Sequence, residues 1–168
     1  PQKFQDDLTE QLQRLIALLG MKTGIYNVES RVCSDGKAYI MEVSPRGGGN
    51  RIAELQDMAT GQKLIKNEIL KALNMPLDHI TAPKYDGVWC NYILHSSHAG
   101  ILETVEIDDT LRQHYIKDEG LIVKKGDVIH PFTGANTSLG TLFLRAENRK
   151  ELDNIIGSID DFVKIKLS

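Results

Sequence analysis

Ser34-Asp35-Gly36 separates two β-rich runs, residues 25–33 and 37–43, and Asp-Gly in that setting is a strong short-range hairpin signal. A hairpin fixes which side chains can meet across it. With Asp35 and Gly36 as the centre of a two-residue type I′ turn, Ser34 pairs with Lys37, Val32 with Tyr39 and Arg31 with Ile40. Glu29 then falls opposite Glu42, and Asn27 opposite Ser44. Val28, Val32, Tyr39, Met41 and Val43 form the core-facing set, which leaves the two acids on the other face. A three-residue loop with a bulge shifts the register by one and separates the acids, and the count leaves that alternative open.

Directly opposed residues have Cβ atoms about 4.5–5.5 Å apart, and two like charges so placed repel unless a cation lies between them or one is protonated. A hard divalent ion such as Mg²⁺ suits two carboxylates and commonly bridges them to substrate phosphates. The plainer reading is a solvated strand face on which Arg31 and nearby lysines neutralise the acids.

The segment after Glu42 runs Val43-Ser44-Pro45-Arg46 into Gly47, Gly48 and Gly49 and then into an apolar-periodic helix. Arginine offers a planar fork for phosphate oxygens, and glycines let backbone N–H groups approach an anion. A helix start at Asn50 and Arg51 adds free donors, with Asn50 as its cap. Neither the dinucleotide fingerprint nor the Walker A pattern is present.

Around this centre, residues 4–19 form an amphipathic helix closed by Gly20, and helices follow over about 50–59 and 62–73. From residue 81 the texture changes to strands at 88–95, 101–107, 121–123 and 139–146, a helix at 109–116, a helix at 147–159 and a closing strand at 162–167. This predicts an α+β chain divided at about residue 80 (1–80 and 81–168). Net charge is −3, so nothing marks a nucleic-acid surface, and no apolar run is long enough for a membrane span. Cys33 and Cys90 form no framework, as expected of reduced cytoplasmic thiols. His95 and His98 read as a strand-end pair rather than a zinc site, for want of further ligands at suitable spacing.

The stretch from Thr23 to Gly61 resembles the ATP-grasp superfamily of carboxylate–amine ligases, above all in Glu-Val-Ser-Pro-Arg followed by the glycines and Asn50. Residues 136–156 resemble, more loosely, the strand–helix end of the C-terminal subdomain of such ligases. The resemblance implies the C-terminal half of an ATP-grasp fold, an antiparallel hairpin sheet with helices, followed by a small β-rich subdomain. It implies Glu29 and Glu42 as ligands of Mg²⁺ or Mn²⁺, with Ser44 at the family's asparagine position; the hairpin register adds Asn27, opposite Ser44, as a candidate for the missing amide. Arg46 takes the catalytic role, and Gly47, Gly48, Gly49, Asn50 and Arg51 cradle phosphate or substrate.

The implied activity is ATP-dependent joining of a carboxylate to an amine through an acyl phosphate. No nucleotide-gripping subdomain fits before residue 23, so the chain is expected to be a C-terminal part, inactive alone and partnered by the upstream part of its own chain. A homodimer is left open. A carboxylase or purine-pathway member, or a non-catalytic binding module built on the fold, are the alternatives.

Overall fold

The computed structural model describes residues Pro1–Ser168, and the chain divides into two compact units. The first comprises Pro1–Gly49 and Lys63–Ile80, the second Asn50–Gln62 and Thr81–Ser168. The helix that follows the glycine loop therefore packs with the later half of the chain, a grouping that a single cut at residue 80 does not give.

In the first unit, α1 (Gln2–Leu19) ends on Gly20 at φ 58°, where Gly20 and Met21 N–H groups bond back to the last turn of the helix. The hairpin strands β1 (Asn27–Val32) and β2 (Ala38–Ser44) form a two-stranded sheet, with α1 against β2. Helix α3 (Leu64–Ala72) is tied down by polar bonds. Glu68 accepts the Ile25 N–H at 2.8 Å, and Asn67 exchanges two bonds with the Asp78 backbone. Of all the side chains in this unit, only Ala38 and Asn67 are buried.

The second unit has what the first lacks. It begins with α2 (Ile52–Thr60), and its strands are β3 (Val88–Leu94), β4 (Gly100–Ile107), β5 (Ile116–Leu121), β6 (Val128–Ile129), β7 (Gly140–Ala146) and β8 (Val163–Leu167). They make two antiparallel three-stranded sheets, ordered β3-β7-β5 and β6-β4-β8. Helices α4 (Asp109–His114), α5 (Arg149–Gly157) and α6 (Ile159–Phe162) add to one apolar core. Leu94, Leu111, Leu142 and Leu144 are almost wholly inaccessible there, and Phe143 is equally buried outside that cluster, beneath Arg51.

Several expectations need correction. The strand placed at 121–123 is β5, which starts at Ile116 and ends at Leu121, so α4 stops at His114. The helix placed at 147–159 is two helices broken at Ser158, and β6 has no counterpart in the sequence reading. Asn50 does not cap α2; Arg51 stands at the cap position and makes no side-chain cap bond. On the hairpin, Val32, Tyr39 and Met41 are exposed rather than core-facing, at 53%, 39% and 65%, whereas Ala38 is buried.

Candidate functional site

The hairpin loop is three residues long. Cys33 N–H bonds the Lys37 carbonyl at 2.9 Å, Gly36 N–H bonds back to the Cys33 carbonyl at 3.0 Å, and Gly36 sits at φ 74°. This left-handed glycine shifts the register, so Val32 pairs with Ala38, Arg31 with Tyr39 and Ser30 with Ile40. These replace the expected pairs Val32–Tyr39 and Arg31–Ile40. A second irregularity between Glu29 and Ser30, with Met41 as the extra residue on β2, shifts the register back. Beyond it Glu29 lies opposite Glu42, Val28 opposite Val43 and Asn27 opposite Ser44. The two shifts cancel, and the pairings at this end are those of the simple two-residue turn.

Both carboxylates are exposed, and neither has a basic partner; the only bond to either is from the Ser44 hydroxyl to Glu42 Oε1. Arg31 forms no ion pair with them, so the neutralised-face arrangement is not the one adopted. No three His, Cys, Asp or Glu side chains cluster as a metal site. The oxygen donors that the register sets opposite each other are two carboxylates, with the Ser44 hydroxyl bonded to one of them. They fit a hard ion that keeps part of its shell for water and phosphate oxygens, and do not fit zinc.

After β2 the chain turns at Pro45, where Arg46 N–H bonds the Ser44 carbonyl at 2.9 Å. The Arg46 side chain is exposed and reaches only the Gly47 carbonyl, at 2.9 Å. Gly47, Gly48 and Gly49 are absent from the left-handed region, and a Cβ on Gly49 would meet nothing within 4 Å. The chain's own conformation and packing do not require glycine at Gly49.

Asn50 and Arg51 open the second unit and are committed there. Both have left-handed backbones, φ 52° and 61°, uncommon for residues with a Cβ. The Asn50 carbonyl accepts a bond from the Asn91 amide. The Arg51 guanidinium contacts Glu54 at 2.5 Å and Asp118 at 2.6 Å, lying 4.6 Å from the Phe143 ring centroid. The Glu54 bond foremost, and then Asp118, hold Arg51 further toward its charged form. A Cβ on Gly120 would lie 2.1 Å from Arg51 Nη1, so Gly120 is small because the guanidinium lies over it. Asp118 and Gly120, both in the part of β5 that precedes the strand expected at 121–123, escaped the sequence reading; a charged residue and a glycine in a short polar run give no pairing signal.

Elsewhere, His95 Nδ1 bonds the Ile93 carbonyl at 2.9 Å with its ring near Phe132, and His98 Nδ1 meets Ser97 at 2.9 Å. Both cysteines are free, and burial pushes the Cys90 thiol up from its ordinary value. No helix is long and apolar enough to cross a membrane.

No protein-family model matches the chain, and neither does any curated protein sequence. Solved structures do. An L-amino acid ligase from Bacillus licheniformis superposes with a TM-score of 0.84 at 19% identity, over 100% of this chain and 42% of that one. A phosphoribosylglycinamide synthetase from Anaerococcus prevotii gives 0.80 at 18% identity, over 100% and 43%. A biotin carboxylase from Campylobacter jejuni gives 0.68 at 16%, over 99% and 37%. The chain thus spans less than half the length of the structures it matches. Its fold is part of the ATP-grasp fold.

Proposed function

We propose that this chain is the metal- and acceptor-side portion of an ATP-dependent ligase that joins a carboxylate to an amine. The observation that carries the reading is the Glu29–Glu42 pair, opposed across a hairpin and free of any basic partner, in a chain with part of the ATP-grasp fold. Such a pair repels itself and has use for a cation. Glu29 and Glu42 would hold Mg²⁺, with Ser44 positioning the Glu42 carboxylate and Asn27 across from it offering an amide oxygen. When bound, the ion offsets negative charge on the phosphates during transfer.

Arg46, four residues beyond Glu42, exposed and without an acidic partner, is a free cation suited to the transferring phosphoryl group or the acyl phosphate it yields. Gly47, Gly48 and Gly49 offer backbone N–H groups with no side chains of their own in the way, and the space around Gly49 is open. Arg51 stands apart from this set because Glu54 and Asp118 already occupy its fork. The alternatives are a carboxylase, supported by the biotin carboxylase likeness at TM-score 0.68, and a purine-pathway member; the likeness to the L-amino acid ligase, at 0.84, supports the reading proposed here.

The test is ADP release by the entire protein encoded by this reading frame, screened with amino acids and other small carboxylates and amines. Glu42→Gln keeps the size and the hydrogen bond to Ser44 and removes the charge; it is expected to lower turnover by roughly 100-fold or more. ADP release that is unchanged in Glu42→Gln would refute the mechanism, and no release with any carboxylate–amine pair would favour a binding module.

A further inference from the structure

One row of side chains across the β3-β7-β5 sheet grips two consecutive residues of the chain. Asn91 of β3 and Asp118 of β5 each pair with Phe143 of β7, so the three stand side by side on one face. Asp118 takes the Arg51 guanidinium at 2.6 Å, and that guanidinium lies 4.6 Å from the Phe143 ring centroid. Asn91 Nδ2 donates to the carbonyl of Asn50, the residue just before Arg51. Asn50 is thus held by its main chain, while its own side chain is exposed and bonds no other group of the chain.

Two local rules are broken at this spot. Asn50 and Arg51 are both left-handed, at φ 52° and 61°, which is costly for a side chain as large as arginine. Asn91 lies within a strand, where asparagine is disfavoured, and its Oδ1 is buried without a hydrogen-bond partner. An apolar side chain of similar size removes that orphan oxygen and suits the strand better. Stability of the sheet therefore does not account for an amide at Asn91; its one bond, to Asn50, does. Departures from local rules gather where a fold serves a site, and Asn50 directly follows the glycine loop.

We infer that Asn91 is a positioning residue of the proposed ligase. By holding the Asn50 carbonyl it fixes the Asn50–Arg51 peptide, and with it the direction of the free Asn50 amide. Asn50 Nδ2 donates to the carboxylate substrate, at the oxygen that is not phosphorylated, so the bond is the same before and after activation. Such a bond contributes to binding of the carboxylate and not to the rate of the chemical step. Asn91 acts only through Asn50. This inference rests on the reading of the chain as part of a carboxylate–amine ligase.

Steady-state ADP release by the entire encoded protein tests it. Asn91→Leu keeps the volume and removes both the donor and the orphan oxygen. It is expected to raise KM for the carboxylate roughly 10-fold, the worth of one hydrogen bond, with kcat and KM for ATP within about twofold of the parent. Asn50→Gly accepts the left-handed backbone and deletes the amide, so it should do the same. The double variant should differ from either single one by less than about twofold. Where Asn91→Leu does not fold, Asn91→Asp takes its place in the cycle, since it keeps the shape and sets an acceptor against the Asn50 carbonyl. An unchanged carboxylate KM overturns the inference, and so does a fall in kcat with every KM unchanged. A double variant in which the two effects multiply also overturns it, because Asn91 then acts independently of Asn50. Any of these, with ADP release present in the parent and lowered in Glu42→Gln, leaves the ligase standing. No ADP release from the parent with any carboxylate–amine pair refutes the ligase reading and this inference with it.

Discussion

Arg51 shows how a residue with a locally unfavourable backbone is kept in place by its side chain. A φ of 61° costs an L-residue about 1–2 kcal/mol relative to the ordinary helical region. Against that stand Glu54, Asp118 and the Phe143 face, with the arginine and Asp118 side chains about a third exposed, which weakens both ion pairs by solvent screening. Arg51→Ala should therefore cost about 1–2 kcal/mol in a denaturant titration. Arg51→Gly should cost about 1 kcal/mol less than Arg51→Ala, although it removes more of the side chain, because glycine accepts the left-handed backbone. A glycine variant less stable than the alanine variant would show that the backbone there is unstrained. Residues such as Glu29, Glu42 and Arg46 were legible in the sequence because a hairpin count and a short loop place them. Asp118 was not, since its partner Arg51 lies 67 positions earlier and nothing local links them.

At the scale of single elements, the hairpin pairing at Glu29–Glu42 came out as counted, but through two register shifts that cancel. The glycine in the loop could be read; the extra residue at Met41 could not, because bulges are set by packing across the sheet. Helix α4 offers a cleaner case of local control. Asp108 caps it by accepting the N–H groups of Thr110 and Leu111, and those bonds, Thr110 first, hold its carboxyl below the ordinary value. Its folded-state pKa is depressed, so the stabilisation is fully present above the ordinary carboxylate range. It is lost as pH falls through the lower folded-state value. Asp108→Asn keeps a capping oxygen and removes the titration, so its melting temperature should fall less than that of the parent chain on acidification below about pH 3.8. Identical acid profiles for the two would remove Asp108 from the account.

Across the whole molecule the two units differ in how they are held. The second has a contiguous apolar core fed by both its sheets and three helices; the first relies on a hairpin, an amphipathic helix and polar ties such as Asn67 to Asp78. Unfolding of the 168-residue chain should accordingly have two stages. Trp89, the single tryptophan, lies in the second unit and reports its loss by fluorescence. Helical circular dichroism, to which the 18-residue α1 is the largest contributor, should begin to fall at lower denaturant than the Trp89 signal. Coincident transitions would mean that the first unit draws its stability from the second.

The sequence by itself determined the features that depend on neighbours along the chain. These are the hairpin with its two acids, the glycine loop with Arg46, the stop at Gly20 and the strand-rich later half. Periodicity, turn chemistry and caps act over a few residues and leave readable traces. Tertiary structure alone decided that α2 packs with the later half, that Arg51 turns to Asp118 instead of lying free, and that β5 forms from a polar run. It also decided that the β2 backbone is covered, because Asp7 and Gln11 reach it from about 30 positions away. Contacts between distant segments are set by which surfaces can be buried together, and no short stretch of sequence records that.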